Sequence, residues 1–462
     1  MLFNSYEFIF AFLPVTFFIY FYLNKKRLTE AAKAFLVFAS LFFYSWWNIA
    51  YLPIILTSML FNYVVGVSLS KKGEHTKVGK KAVLVFGIAA NVALLAYFKY
   101  ADFLIENINL LTGSEFPLLH LALPLAISFF TFQQIAYLVD SYRGETKEYD
   151  FLNYANFVTF FPQLIAGPIV HHAEMMPQFS KKRNKVKNYH HIAMGLFIFS
   201  IGLFKKVVIA DSFSPWVKQG FDIADHLSFI EAWATSLSYT FQLYYDFSGY
   251  TDMAIGAALL FNIKLPVNFN SPYKATSIQE FWRRWHITLS RFLRDYIYIP
   301  LGGNRRGKYR TYSNLMATFL IGGIWHGAGW TFVFWGFLHG LALVIQKIWN
   351  DLGFRLHAAF AWFLTFNFVN VAWVFFRAKE WNDAIKVLRG MTDLSFIHGI
   401  NTIEATILIV VFVISVLAKN SMEMLQKAKM GWWLIFVSGT LFFVSLAVLE
   451  VRKASEFLYF QF

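Results

Sequence analysis

The 462-residue chain contains no cysteine. That absence removes disulfides, a thiolate nucleophile, cysteine-ligated metals and palmitoylation, so any acyl-enzyme must be an oxygen or nitrogen ester. Charge is scarce too. Only 15% of residues are Asp, Glu, Lys or Arg, against 57% hydrophobic and a mean hydropathy of +0.48. This composition excludes an ordinary soluble protein and points to a polytopic membrane protein. Acidic residues are the rarer sign, 27 against 41 basic, for a net charge of +14. In a membrane protein such an excess reflects basic cytoplasmic loops rather than nucleic-acid binding. Three further signals are missing: a Gly-x-Ser-x-Gly elbow, a phosphate-binding Gly-rich loop and a His-Glu-x-x-His zinc motif. No soluble domain, repeat or low-complexity tract interrupts the sequence, which therefore reads as a single domain over 1–462.

Apolar segments of spanning length recur at about 5–23, 33–50, 51–70, 82–100, 118–140, 190–211, 229–262, 357–376, 403–418 and 432–450. The first has Glu7 before its core and Lys25, Lys26 and Arg27 after it, so it reads as a first transmembrane helix with its N-terminus outside, not a cleaved signal peptide. The 229–262 segment carries Asp246 and Asp252 and is expected to be broken or strongly tilted. Basic loops at 25–33, 71–81, 181–187, 283–310 and 419–429 are assigned to the cytoplasm. Two segments, 151–170 and 311–346, have cytoplasmic-looking flanks on both sides and read as re-entrant hairpins. The expected fold is all-α and polytopic: about ten transmembrane helices plus two re-entrant hairpins, with an interfacial amphipathic helix at 279–296 and both termini outside. On that helix Trp282, Trp285, Leu289, Phe292, Leu293 and Tyr296 share one stripe, and arginines lie off it.

Residues 311–346 contain no Asp, Glu, Lys or Arg, and His326 stands near their middle, within Gly322-Gly323-Ile324-Trp325-His326-Gly327-Ala328-Gly329-Trp330. One straight helix would be roughly 54 Å long at about 1.5 Å per residue, against a hydrocarbon core of about 30 Å. Two shorter helices meeting at a Gly-rich break that holds the histidine inside the membrane solve the mismatch. An ionisable side chain placed there is a functional candidate, and imidazole is suited to proton transfer near neutral pH. The alternative is a histidine that only bonds a carbonyl freed by the glycines.

Other constellations are less specific. His286 lies among Arg283, Arg284, Arg291 and Arg294, and Arg305, Arg306, Lys308 and Arg310 follow. The cluster reads first as ordinary positive-inside charge on anionic lipid, and also suits a phosphate-rich cytosolic cofactor. Asp246 and Asp252 could line a polar tunnel or proton path, or cap helix ends. His171, His172 and Glu174 look like metal ligands, but no further ligand follows at zinc-like spacing, and no metal is expected. The aromatic end, Phe457-Leu458-Tyr459-Phe460-Gln461-Phe462, should dock at the outer interface or in a groove, with Tyr459 its only nucleophile.

Phe281-Trp282-Arg283-Arg284-Trp285-His286, Leu301-Gly302-Gly303-Asn304-Arg305 and Trp325-His326-Gly327-Ala328-Gly329-Trp330 together resemble the membrane-bound O-acyltransferase family, in its bacterial alginate and peptidoglycan O-acetylation branch. Phe161-Pro162-Gln163-Leu164-Ile165-Ala166-Gly167-Pro168-Ile169 and 245–253 are similar as well. The resemblance implies helices enclosing a tunnel, with His326 catalytic and His286 the second histidine on the cytoplasmic side. It implies acetyl-CoA as donor, with Arg283, Arg284, Arg291 and Arg305 as candidate cofactor contacts. It also implies passage of acetyl groups across the bacterial inner membrane to a periplasmic SGNH-type O-acetyltransferase, which no part of this chain supplies. The pattern Phe457-x-Tyr459-x-x-Phe462 resembles the acyl-carrying tyrosine motif of the small partner peptide in the D-alanyl branch, which makes Tyr459 a relay candidate. A phenol becomes a competent nucleophile once a buried imidazole takes its proton while water is excluded. Peptidoglycan is the first expected acceptor and alginate the second. Competing readings are D-alanyl transfer to teichoic acid and a non-enzymatic transporter of an acylated substrate.

Overall fold

The computed structural model describes residues 1–70, 77–146, 150–397, 399–429, 431–452 and 454–461, excepting the side chains of 77, 78, 459 and 461. Among these residues all regular structure is helical. Among the described residues, seven helices are long and apolar enough to cross a membrane: Glu7–Lys25, Ile49–Ser70, Gly79–Thr112, Tyr189–Ile223, Trp330–Asp351, Ala358–Arg377 and Trp432–Arg452. The pair Thr402–Leu417 and Ser421–Lys427, bent by 53°, makes an eighth if read as one span.

Several segments depart from the periodicity reading. The helix expected over 118–140 begins only at Ile127. Pro117 and Pro124 withhold backbone donors and push their predecessors toward extended geometry, while His120 and Ala126 take φ of 48° and 61°. Residues 151–170 form a nine-residue helix, Phe151–Thr159, then a single turn, Phe161–Leu164, before the chain straightens. The 229–262 segment is not broken: Phe229–Leu260 is one continuous helix of 32 residues. The expected interfacial helix at 279–296 is divided at Trp285 and His286 into Ile278–Arg284 and Ile287–Leu293. Its apolar stripe is buried in protein rather than laid on lipid, with Trp285 and Leu289 each 1% exposed.

The chain forms two compact units. The first comprises Met1–Ser200, Tyr250–Pro266 and Lys429–Ser438. Its core is a phenylalanine cluster, Phe3, Phe8, Phe12, Phe43 and Phe161, with ring centroids 4.7 to 6.0 Å apart. Polar pairs fix the register of its helices. Asn62 and Asn91 exchange amide hydrogen bonds of 3.1 and 2.7 Å, and Gln134 donates to Ser58 at 3.0 Å. In a low-dielectric bundle such satisfied pairs specify packing that apolar contacts alone leave degenerate.

The second unit comprises Ile201–Gly249, Val267–Ala428 and Gly439–Phe462. At its centre is an antiparallel hairpin of Lys308–His326 and Trp330–Asp351, turned by Gly327-Ala328-Gly329. Glycines bring the two arms to backbone contact. A Cβ on Gly323 would stand 3.0 Å from Gly336 Cα, and a Cβ on Gly340 would stand 2.9 Å from Met316 Sδ. Close approach through small residues is a standard means of helix association in membranes, where lipid offers no hydrophobic drive. An aromatic core of Trp285, Trp335 and Trp373 packs beside it, with centroids 4.9 Å (Trp285–Trp373) and 5.7 Å (Trp335–Trp373) apart.

Candidate active site

His326 is the last residue of the first hairpin arm, and Gly327 beyond it is extended at φ −162°. The expected Gly-rich break is therefore the turn of the hairpin, with the imidazole at its tip. The side chain is 3% exposed. Three rings enclose it edge-to-face: Trp325 at 4.8 Å, Trp335 at 5.0 Å and Phe376 at 5.1 Å. Such a cage excludes bulk water and fixes the plane of the imidazole.

His286 approaches the same tryptophan from another element, with its ring 6.3 Å from Trp325. It is fully buried and adopts a left-handed backbone, φ 42° and ψ 54°. Few non-glycine residues do so, and the strain is held by the surroundings. Asn268 holds it. Its Oδ1 lies 3.1 Å from His286 Nδ1 and also accepts from the Thr288 N–H at 3.2 Å and the Thr288 hydroxyl at 2.9 Å. The Thr288 N–H fixes that atom as an oxygen, so His286 Nδ1 carries the proton and Nε2 the lone pair. Burial pushes the His286 pKa down to about 3, so the ring is neutral near pH 7. The break in the amphipathic helix follows directly: the left-handed turn that aims His286 inward cannot continue an α-helix.

A cavity of about 450 Å³ opens beside these helices. Arg283, Arg291 and Arg294 line it together with Trp282, Thr318 and Phe319. It brings together two of the four candidate cofactor arginines, Arg283 and Arg291, and adds Arg294. Arg284 is directed elsewhere: its guanidinium binds Glu280 at 2.8 and 3.0 Å and the Asn270 carbonyl at 3.1 Å. The Thr276 N–H and hydroxyl, and then this pairing, hold the Glu280 carboxyl below its usual range. Arg305 is exposed on the loop after Gly303 and does not line the cavity. Trp282 links cavity and histidine, its ring 5.8 Å from Trp335, which touches His326.

The remaining candidates fall into place differently. Asp246 neither caps nor breaks its helix. It forms an ion pair of 2.6 Å with Lys206, itself inside the apolar span Tyr189–Ile223. Asp252 is buried, at 3% exposure. His171 and Glu174 form the capping box of the helix His172–Ser180. The segment before Tyr459 packs inside the second unit: Phe457 is 1% exposed, with its ring 5.5 Å from Phe247, whose own ring lies 4.8 Å from His286. The Tyr459 side chain lies outside the described residues.

Sequence reasoning missed Asn268, Lys206 and His339. Asn268 carries no signal, since it sits in an irregular stretch. Lys206 did carry one, as a cation within an apolar span. His339 is fully buried on the second arm and accepts the Trp282 indole N–H at 3.2 Å through Nδ1, which fixes the indole that lines the cavity.

Residues 41–378 match the family described as MBOAT, membrane-bound O-acyltransferase family. The chain is 50% identical to a peptidoglycan O-acetyltransferase of Helicobacter pylori, over 100% of this chain and 98% of that one. It is 40% identical to a protein named "Probable alginate O-acetylase AlgI" of Azotobacter vinelandii, over 85% and 78% of the two chains. A teichoic acid D-alanyltransferase of Streptococcus thermophilus is 28% identical over 49% of this chain and 57% of its own.

Proposed function

The chain belongs to the membrane-bound O-acyltransferase family and is an O-acyltransferase of multi-pass membrane architecture, and from that premise we propose that it passes acetyl groups from cytosolic acetyl-CoA across the bacterial inner membrane to a periplasmic polysaccharide. Peptidoglycan is the proposed acceptor, supported by the full-length likeness at 50% identity, with alginate second at 40%. D-alanyl transfer is less supported, at 28% over half the chain. A non-enzymatic transporter does not fit the family.

The observation that carries the reading is His326, caged at the hairpin tip and joined through Trp335 and Trp282 to an arginine-lined cavity. The cavity holds the donor. Arg283 and Arg291 bind its phosphates, and charged fork donors suit that task. His326 is the general base. It takes the proton of the acceptor hydroxyl, the oxygen attacks the thioester carbonyl, the C–S bond breaks, and the imidazolium returns the proton to the departing CoA thiolate. His286, held neutral with its lone pair on Nε2, stands across Trp325 and accepts an amide N–H of the donor's pantetheine arm, which orients the thioester.

Tyr459 is the proposed first acceptor. Its phenol becomes an acetyl ester as CoA is released. A phenoxide of pKa near 10 remains a good leaving group, so the acetyl stays activated for a second transfer. That transfer, to a serine of a separate SGNH-type partner and then to a sugar hydroxyl, restores the phenol.

The test is chemical analysis of peptidoglycan from cells in which the only copy is His326→Ala. With the variant present in the membrane at wild-type level, O-acetyl content should fall to that of the deletion strain. Wild-type acetylation would sink the assignment of His326.

A further inference from the structure

A buried charged cluster of the second unit takes no part in the chemistry proposed for His326. Lys206 and Asp246 are 3% and 1% exposed, an arrangement membrane proteins keep sparingly. Lys206 sits in a π-helical turn, Lys205–Ala210, a rare geometry that recurs at functional sites. The helix of Asp246 reaches it because Gly249 has no side chain; a Cβ there would stand 2.8 Å from the Gly202 carbonyl. Both charges turn bonding capacity toward the C-terminal segment. Lys206 Nζ meets Asp246 at 2.6 Å and Asp211 at 2.8 Å, and donates to the Ser455 hydroxyl at 2.8 Å and the Glu456 carbonyl at 3.0 Å. Asp246 uses its second oxygen to accept the Leu458 N–H at 3.0 Å.

We propose that Lys206 and Asp246 form a socket that grips residues 455–458 through the Ser455 hydroxyl, the Glu456 carbonyl and the Leu458 amide, and are thereby positioning residues for Tyr459. The gripped carbonyl and amide flank Phe457, whose ring beds against Phe247. These polar contacts and the bedded phenylalanine supply the hold together, and losing either frees the segment. The next residue after the held amide is Tyr459, whose Cα follows at about 3.8 Å. Upstream, Arg452 donates to Ser212 at 2.8 Å and fixes where the segment leaves its helix. The ammonium's further donors and the carboxylate's second oxygen exceed what the pair itself uses, and part of that surplus goes to this segment. The functional half of the proposal rests on the relay reading of Tyr459; the socket does not.

The test uses the full-length Lys206→Met/Asp246→Leu variant. Swapping a buried pair for apolar residues of similar size is often neutral or stabilising, and Asp211, which loses Lys206, stays 15% exposed, so the melting temperature should fall only slightly. Hydrogen exchange at the amide of Leu458 should nevertheless lose its protection. Acetyl transfer to polysaccharide should fall at least ~10-fold, because the nucleophile is no longer placed, while acetyl-CoA affinity stays unchanged. Phe457→Ala lies on the segment itself and leaves the bundle intact, so it should reproduce both losses even if the double variant folds poorly. Protection of Leu458 that survives either change overturns the socket. Lost protection with unchanged transfer overturns the positioning role. Tyr459→Phe, measured alongside, separates the two claims: full transfer by that variant refutes the relay, while the exchange result still decides the socket.

Discussion

Replacing Gly336 with alanine places one methyl group where the hairpin arms touch. The added Cβ would overlap the Phe319 carbonyl and stand 3.1 Å from Gly323 Cα. All of these atoms are backbone, so no side chain can swing aside. Ordinary carbon contacts are about 3.5–4.0 Å, and clearing the carbonyl as well requires the arms to part by about 1 Å. Overpacking of this kind costs about 1–3 kcal/mol, which a bundle with such a large core tolerates. The neighbouring residue is Trp335, which cages His326 on one side and touches Trp282 on the other. A displacement of about 1 Å at the reacting groups can cost on the order of 10²-fold in rate. Gly336→Ala should therefore insert normally, keep its affinity for acetyl-CoA within a few-fold and lose kcat by about that factor. Gly322→Ala is the control, because its Cβ would meet only the mobile end of Leu293, at 3.3 Å. Purified variants in a CoA-release assay, with the SGNH-type partner and polysaccharide supplied, distinguish the two. Wild-type turnover by Gly336→Ala would refute the argument that this close contact holds the cage.

Further outcomes follow from the same geometry. Arg283→Ala or Arg291→Ala should raise KM for acetyl-CoA about tenfold, from the ~1.5–3 kcal/mol of a charge-assisted hydrogen bond, and more at low salt; Arg305→Ala should change little, and equal effects would place the donor elsewhere. Asn268→Ala should lower kcat by about tenfold or more without altering KM, because His286 loses its fixed tautomer. The buried His286 also predicts acid sensitivity. Its pKa is depressed from 6.5 to about 3, so below pH 6.5 the unfolded chain binds a proton that the folded chain refuses, and stability falls as pH drops through that window. His286→Asn, which tolerates the left-handed backbone, should flatten the loss of melting temperature between pH 7 and 5; an unchanged slope would mean other groups set it.

Some of this was legible in residues alone. The uncharged run around His326 and its glycines foretold two helices and a break, because length and hydrocarbon thickness leave few options. The division at His286 was not, because Trp282, Trp285 and Leu289 keep helical spacing across a left-handed residue that periodicity does not register. Asp246 was visible as a misplaced charge, but its partner Lys206 lies 40 residues upstream in another apolar segment, and pairing over that distance is a tertiary fact. The arginine cluster was visible as a set; only the fold separates Arg291, on the cavity, from Arg284, spent on Glu280.

The account turns on acyl transfer at His326, and one assay reads it directly. The chain has no cysteine, so a thiol reagent added to the purified protein with acetyl-CoA reports released CoA without background from the protein. The account predicts a single round of CoA release by the wild type, since Tyr459 is not recharged without the partner, and a fall of at least ~10²-fold in its rate in folded His326→Ala, the loss expected of a missing general base. Equal release by the two proteins would contradict it.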